Sequence, residues 1–176
     1  MDEQRQIFLH GPLGQRHLRE ILSAQFTGLI LYPEPIWLIS PWISDFDVLN
    51  NCGGEWSYLD PSWGARMISF QELLATAVNS GCPLRIVTLQ DDASLAFIER
   101  LQSRLLPDHD MQYLVHEKLH AKGILTNNFF LKGSMNYTWS GANINDEHLL
   151  FSTNKAVISD ALIEFSGQYR FGVNND

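Results

Sequence analysis

Apolar residues fall into short runs and regular stripes along the chain, and each pattern predicts an element. Ile36-Trp37-Leu38-Ile39-Ser40 is apolar, partly β-branched and stopped by Pro41, so a buried strand is expected over 36–40. From Ser69 the spacing turns helical. Phe70, Leu73, Leu74, Ala77 and Val78 stand at i, i+3, i+4, i+7 and i+8, Ser69 and Glu72 form an S-x-x-E capping box, and Gly81 and Pro83 stop the helix. Residues 84–89 (LRIVTL) predict a second buried strand. Asp91 or Asp92 then caps a helix that carries Leu95, Ile98, Leu101 and Leu105 and ends before Pro107. Residues 111–126 predict one or two strands, Asn127-Asn128 a turn, and residues 129–133 a returning strand. Residues 148–153 predict another strand. Ser152, Thr153 or Asn154 caps a last helix with Ile158, Ala161, Leu162, Phe165 and Tyr169 on one face. The β-α-β-α order followed by strands predicts an α/β fold, a sheet with helices packed on it.

One stretch, residues 45–66, has no period and is rich in Asn, Gly, Asp and Trp. A loop of this length is expected to be functional or poorly ordered. Trp56, Tyr58 and Trp63 either line a groove or a subunit contact, or fold back as a small satellite core.

Length changes the picture only by setting one domain, 1–176, large enough for a real core. No apolar run approaches the roughly 18 residues of a membrane helix. The start, MDEQRQIFLHG, lacks the basic-then-apolar layout of a secretory signal. A cytoplasmic protein without a membrane partner is therefore expected. Cys52 and Cys82 define no disulfide framework and no zinc spacing. The net charge of −8 argues against nonspecific coating of nucleic acid but leaves room for a basic cleft.

Candidate chemistry concentrates in residues 118–147, KLHAKGILTNNFFLKGSMNYTWSGANINDE. In a strand alternate side chains share a face, so His120 and Lys122 point the same way, joined by His116 and Lys118 if the strand runs through 119. The lysine favours neutral, nucleophilic imidazole. Gly133 permits close backbone approach, Ser134 brings a hydroxyl, and Asn136 can donate to a phosphate-like oxygen. Together these groups suit a phosphodiester and its five-coordinate transition state. Met135, Tyr137 and Trp139 are expected as core, and His109, His116 and His148 as structural or incidental.

His120-Ala121-Lys122 followed by Gly133-Ser134-Met135-Asn136 resembles the HxK…GSxN signature of the phospholipase D superfamily. Asn145-Asp146-Glu147 is similar to the N-x-E that follows in its single-motif members. The resemblance spans roughly residues 30–170, with the motif region at 116–147. Two departures stand out. Asn127 occupies a position that is commonly Asp, and the stretch from there to the Gly-Ser turn is one residue short. A turn role at 127 would accept Asn.

The resemblance implies a phospholipase-D-like mixed sheet flanked by helices, with one motif per chain and the site at a two-fold dimer interface. It implies a metal-independent phosphodiesterase that needs no cofactor. His120 would attack phosphorus, and a second histidine would protonate the leaving oxygen and then activate water. Lys122 and Asn136 would hold nonbridging oxygens, Ser134 would support the phosphate, and Glu147 would set the His120 tautomer. In-line displacement needs groups on two sides of phosphorus, so a homodimer would supply the second His120, with His116 as a rival source. The motif looks closest to the nuclease and restriction-associated branch. That implies nucleic acid, DNA first, as substrate in a bacterial DNA-defence or DNA-modification system with further protein partners. The phospholipase-D-like component of DNA deazapurine-modification clusters is one candidate. Alternatives are a catalytically weak module that binds DNA or partner proteins, motivated by Asn127 and the short spacing, and a lipid phosphodiesterase. The missing signal, anchor and exposed amphipathic helix count against the last.

Overall fold

In a computed structural model of the chain, residues 4–172 are described. The elements run β1 (Gln4–Phe8), α1 (Gly11–Leu31), β2 (Ile36–Ile39), β3 (Asp47–Asn50), β4 (Met67–Ser69), α2 (Phe70–Asn79), β5 (Leu84–Thr88), α3 (Asp92–Gln102), β6 (Met111–Val115), β7 (Gly123–Leu125), β8 (Phe130–Gly133), α4 (Trp139–Asn143), β9 (His148–Ser152) and α5 (Lys155–Gln168). Seven strands form one mixed sheet in the order β1-β9-β8-β7-β2-β5-β6. The pairs are antiparallel from β1 to β2 and parallel from β2 to β6. The pattern predicts a sheet with helices packed on it, and the resemblance implies that the sheet is mixed, as it is.

Register divides the sheet into two buried faces. Leu38 pairs with Ile86 and Ile124, and Ile124 with Leu131. Their side chains join Leu18, Leu22 and Phe26 of α1, Phe70, Leu73 and Leu74 of α2, and Phe97 and Leu101 of α3 in the main core. Phe70 lies at its centre, stacked on Phe46 at 5.0 Å and on Tyr137 at 5.8 Å, and edge-on to Phe26. On the opposite face Ile39, Val87, Leu125 and Phe130 pack against Ile158, Phe165 and Tyr169 of the last helix and its C-terminal cap. Thus α5 covers the middle of that face, where the apolar stripe of the sequence places it.

Several expected details hold. Ser69 and Glu72 form the reciprocal capping box, Asp91 caps α3, and Asn154 caps α5. Met135 and Tyr137 are fully buried. Others differ. Trp139 is 53% exposed, because Tyr137 already fills the core and the short α4 turns its first residue outward. Leu105 lies beyond the end of α3. β1 and α1 lie outside the expected elements. Leu18, Leu22, Phe26 and Leu29 do mark a helical stripe behind Pro12, but two glycines and a weakly apolar first turn dilute it.

Residues 45–66 are organised, not loose. β3 and β4 pair as a small hairpin, and the buried Asn51 donates to Ser57 and Gly64 and accepts from the Trp56 N–H. Trp63 is 4% exposed and, with Trp56, packs on the main core instead of forming a satellite, while Tyr58 remains outside. Both cysteines are free, Cys52 exposed and Cys82 buried.

Glu72 ties this loop to α2. Its carboxylate takes two hydrogen bonds from Arg66, at 2.6 and 2.8 Å, and one from the Ser69 N–H. The Arg66 bonds, then the Ser69 N–H and the charges of Arg66 and Arg104, hold its pKa below the ordinary value despite burial. The resulting stability is present above the ordinary value of 4.5 and fades as pH falls through the lowered folded value. Glu72→Gln is expected to cost about 1 kcal/mol at neutral pH, since Arg66 is half-exposed. Urea unfolding at neutral pH and near pH 3 checks this, with the difference between the two proteins shrinking in acid.

Candidate active site

The site is assembled at one end of the antiparallel strands. The hairpin β7–β8 is closed by Thr126, whose buried hydroxyl accepts from the N–H groups of Asn128 and Phe129. Asn127 is exposed in this turn, where its carbonyl accepts from Lys155. It sits at the far end of β7 from His120 and Lys122, and its side chain makes no hydrogen bond among the described residues.

The strand expected to carry His120 does not extend through it. β6 ends at Val115 and β7 begins at Gly123, leaving 116–122 irregular. The alternation argument therefore fails for His116 and Lys118, and His120 and Lys122 meet in the groove without it. His116 donates its N–H to Thr88, contacts the Lys118 carbonyl through Nδ1, and stands edge-on to Tyr169 at 5.6 Å. It is half-buried against the C-terminal cap of α5 and does not line the groove. Buried Leu119 anchors the segment in the second core and leaves His120 exposed. The Lys122 ammonium donates to the His120 carbonyl at 2.9 Å, which folds the lysine back beside the histidine.

Across from them the Gly-Ser turn is fastened to the start of β9. The Ser134 N–H donates to the His148 carbonyl, and the His148 N–H donates to Ser134 Oγ, both at 3.0 Å. The Ser134 hydroxyl donates to Glu147, which also accepts from Asn145, and the Glu147 carbonyl accepts from the Leu9 N–H. Past the turn, Tyr137 is pinned by its N–H to Ser40 and by its phenol to the Leu131 carbonyl. Burial pushes the Tyr137 phenol far up, so it stays neutral.

His120, Lys122, Lys132, Ser134 and His148 thereby line one open groove of about 620 Å³, floored by Phe130, Leu150 and Phe165. Three of the five expected site residues meet there. Glu147 stands behind Ser134, and the His120 ring makes no hydrogen bond among the described residues, to Glu147 or otherwise. Asn136 is half-buried, and its carboxamide oxygen is buried without a partner among the described residues. A half-turn of the amide would present donors at the same place. Lys132 joins the groove as a basic-cleft residue and Lys118 does not. His148, expected as structural or incidental, also lines the groove. Its one signal was its place directly after Glu147 at the head of a strand. Among the described residues no group of three or more His, Cys, Asp or Glu could hold a metal ion, and no helix is long and apolar enough to cross a membrane.

Residues 58–168, more than half of the chain, match the family model described as "Cardiolipin synthase, PLD-like domain". The chain belongs to the phospholipase-D-like family. No curated protein sequence matches it. Its fold is similar to that of Nuc from Salmonella typhimurium, a phospholipase D family member, with a TM-score of 0.63 at 15% identity over 94% of this chain and 92% of that one. NucT from Helicobacter pylori gives 0.56 at 13% identity, over 93% of each chain. Polyphosphate kinase from Porphyromonas gingivalis gives 0.61 at 13% identity, over 97% of this chain but 27% of the kinase. At these identities the likeness is one of fold, and the phospholipase-D-like layout runs nearly end to end in the first two.

Gly133 makes the fastening possible. Its φ is +156°, and a Cβ there would collide with the His148 carbonyl and the Leu149 backbone. Gly133→Ala is expected to cost more than about 2 kcal/mol and to pull Ser134 off β9. Thermal unfolding checks the first effect, and faster amide exchange at His148 checks the second.

Proposed function

We propose that the chain is a metal-independent phosphodiesterase that cleaves nucleic acid, DNA first, within a bacterial DNA-defence or DNA-modification system. One observation carries this reading. His120, two lysines and Ser134 share an open groove on a chain whose net charge is −8. Concentrated positive charge there suits a polyanion, while the acidic exterior disfavours indiscriminate binding.

In the proposed reaction a nitrogen of neutral His120 attacks phosphorus. The phosphorus–oxygen bond to the leaving group breaks, and a second histidine on the opposite side gives that oxygen a proton. The same histidine then takes a proton from water, and the resulting hydroxide displaces His120 from phosphorus. Lys122, Lys132 and the Asn136 amide stabilise the nonbridging oxygens. Glu147 sets the His120 tautomer by exchanging its bond with Ser134 for the imidazole N–H. In this reading the second histidine comes from a two-fold partner; within the chain His116 packs on Tyr169 outside the groove, and the His148 ring, though it lines the groove, is stacked on Phe8. Asn127, the main reason to suspect a weakened enzyme, has its place in the β7–β8 turn.

Cleavage of single- or double-stranded DNA should persist in excess EDTA and fall by at least about 10³-fold in His120→Ala, the scale of a lost nucleophile. Retained DNA binding with no turnover of DNA, RNA or phosphatidylcholine would favour a binding module, and lipid turnover alone a lipid enzyme. Sedimentation at micromolar concentration should give twice 20.1 kDa, and a strict monomer would contradict the shared site.

A further inference from the structure

α5 covers the middle of its sheet face and stops short of β9 and β1. On that uncovered part Lys132 pairs with Leu150, and Leu150 with Gln6. One step along the same face, Phe8 pairs with His148. The Phe8 and His148 rings stack at 4.7 Å with planes 12° apart, and His10 continues the row at 6.1 Å and 11°. Three nearly parallel rings, from the end of β1, the start of β9 and the cap of α1, therefore stand at the sheet edge next to the groove. His148 belongs to both, since it also lines the groove with Lys122 and Lys132.

The row has features that packing alone does not explain. Phe8 is 52% exposed and His10 and His148 are exposed, so the stack buries little. Its backbone is nonetheless fixed. The His148 N–H is bonded to Ser134, Leu9, the residue after Phe8, donates to the Glu147 carbonyl, and His10 Nδ1 lies 3.2 Å from Asp146. The His148 ring makes no hydrogen bond among the described residues. An exposed aromatic row beside lysines is the pairing that single-stranded nucleic acid requires, with π-faces for bases and cations for phosphates.

We infer that Phe8 and His148, extended by His10, form a stacking strip for unpaired bases of the strand whose phosphates lie on Lys122 and Lys132. This rests on the nucleic-acid reading above and adds where the bases go. β8 and β1 are two strand spacings apart, about 10 Å, so the strand crosses β9 as it leaves the groove. Stacking accepts any base, so the strip distinguishes unpaired from paired nucleic acid without reading sequence.

The test uses full-length His120→Ala protein, a labelled oligothymidylate, and an abasic strand of the same length. Oligothymidylate should bind about tenfold or more tightly than the abasic strand, the value of one stacked base. Phe8→Ser should bring the two affinities together while sedimentation stays unchanged. Phe8→Trp should restore the difference, and its fluorescence should be quenched by oligothymidylate but not by the abasic strand. Equal affinities in the parent, or a difference that survives Phe8→Ser, would overturn the strip. So would a shift to monomer in Phe8→Ser, which would make the patch a subunit contact. Hydrolysis of bis(4-nitrophenyl) phosphate by the wild-type protein separates the two readings, because that diester has no base. Its turnover by a protein that ignores bases sinks the strip alone, and base-dependent binding without its turnover sinks the catalytic reading alone.

Discussion

Two reciprocal hydrogen bonds between Ser134 and His148 carry the arrangement of the site. With the Ser134–Glu147 bond they join a turn to a strand start that is fourteen residues away in sequence. Without them the Gly-Ser turn would have no fixed relation to β9, and the groove would lose one wall. The contact depends on the missing Cβ of Gly133, since any side chain there meets the His148 carbonyl. A backbone allowance of one residue thus fixes how a hydroxyl, a carboxylate and the His148 imidazole are presented together.

The layers around the site explain why it is open. One sheet face is sealed by α1, α2 and α3, and the other only in part, by α5. Phe130 and Phe165 meet edge-on at 5.8 Å and form the boundary: behind them is core, and in front is the groove. Lysines at that boundary cost little, because Lys122 stays partly solvated and Lys132 rests over the Phe130 ring at 5.2 Å. An acidic protein can in this way hold a small cationic surface without a basic exterior.

Much of this was legible in the residues, where local chemistry and packing agree. Ser69 to Gly81 announced both a helix and its cap, and the apolar runs at 36–40 and 84–89 announced two buried strands, whose parallel pairing only the structure shows. The motif spacing identified His120, Lys122 and Ser134 as neighbours. The path through 116–122 was not legible, because alternation cannot reveal where a strand stops when Leu119 must turn inward to a helix still to come. His148 was hidden for a related reason. Its surroundings are set by β1, which pairs with β9 across almost the whole chain and brings Phe8 beside it. Long-range register of that kind leaves no trace in a local pattern.

Mass spectrometry of the protein quenched in alkali during turnover of a phosphodiester tests the nucleophile directly. A phosphate-linked adduct on His120, absent in His120→Ala and removed as the reaction completes, is the predicted result. Steady turnover with no adduct on His120, or with the adduct on another residue, would contradict it.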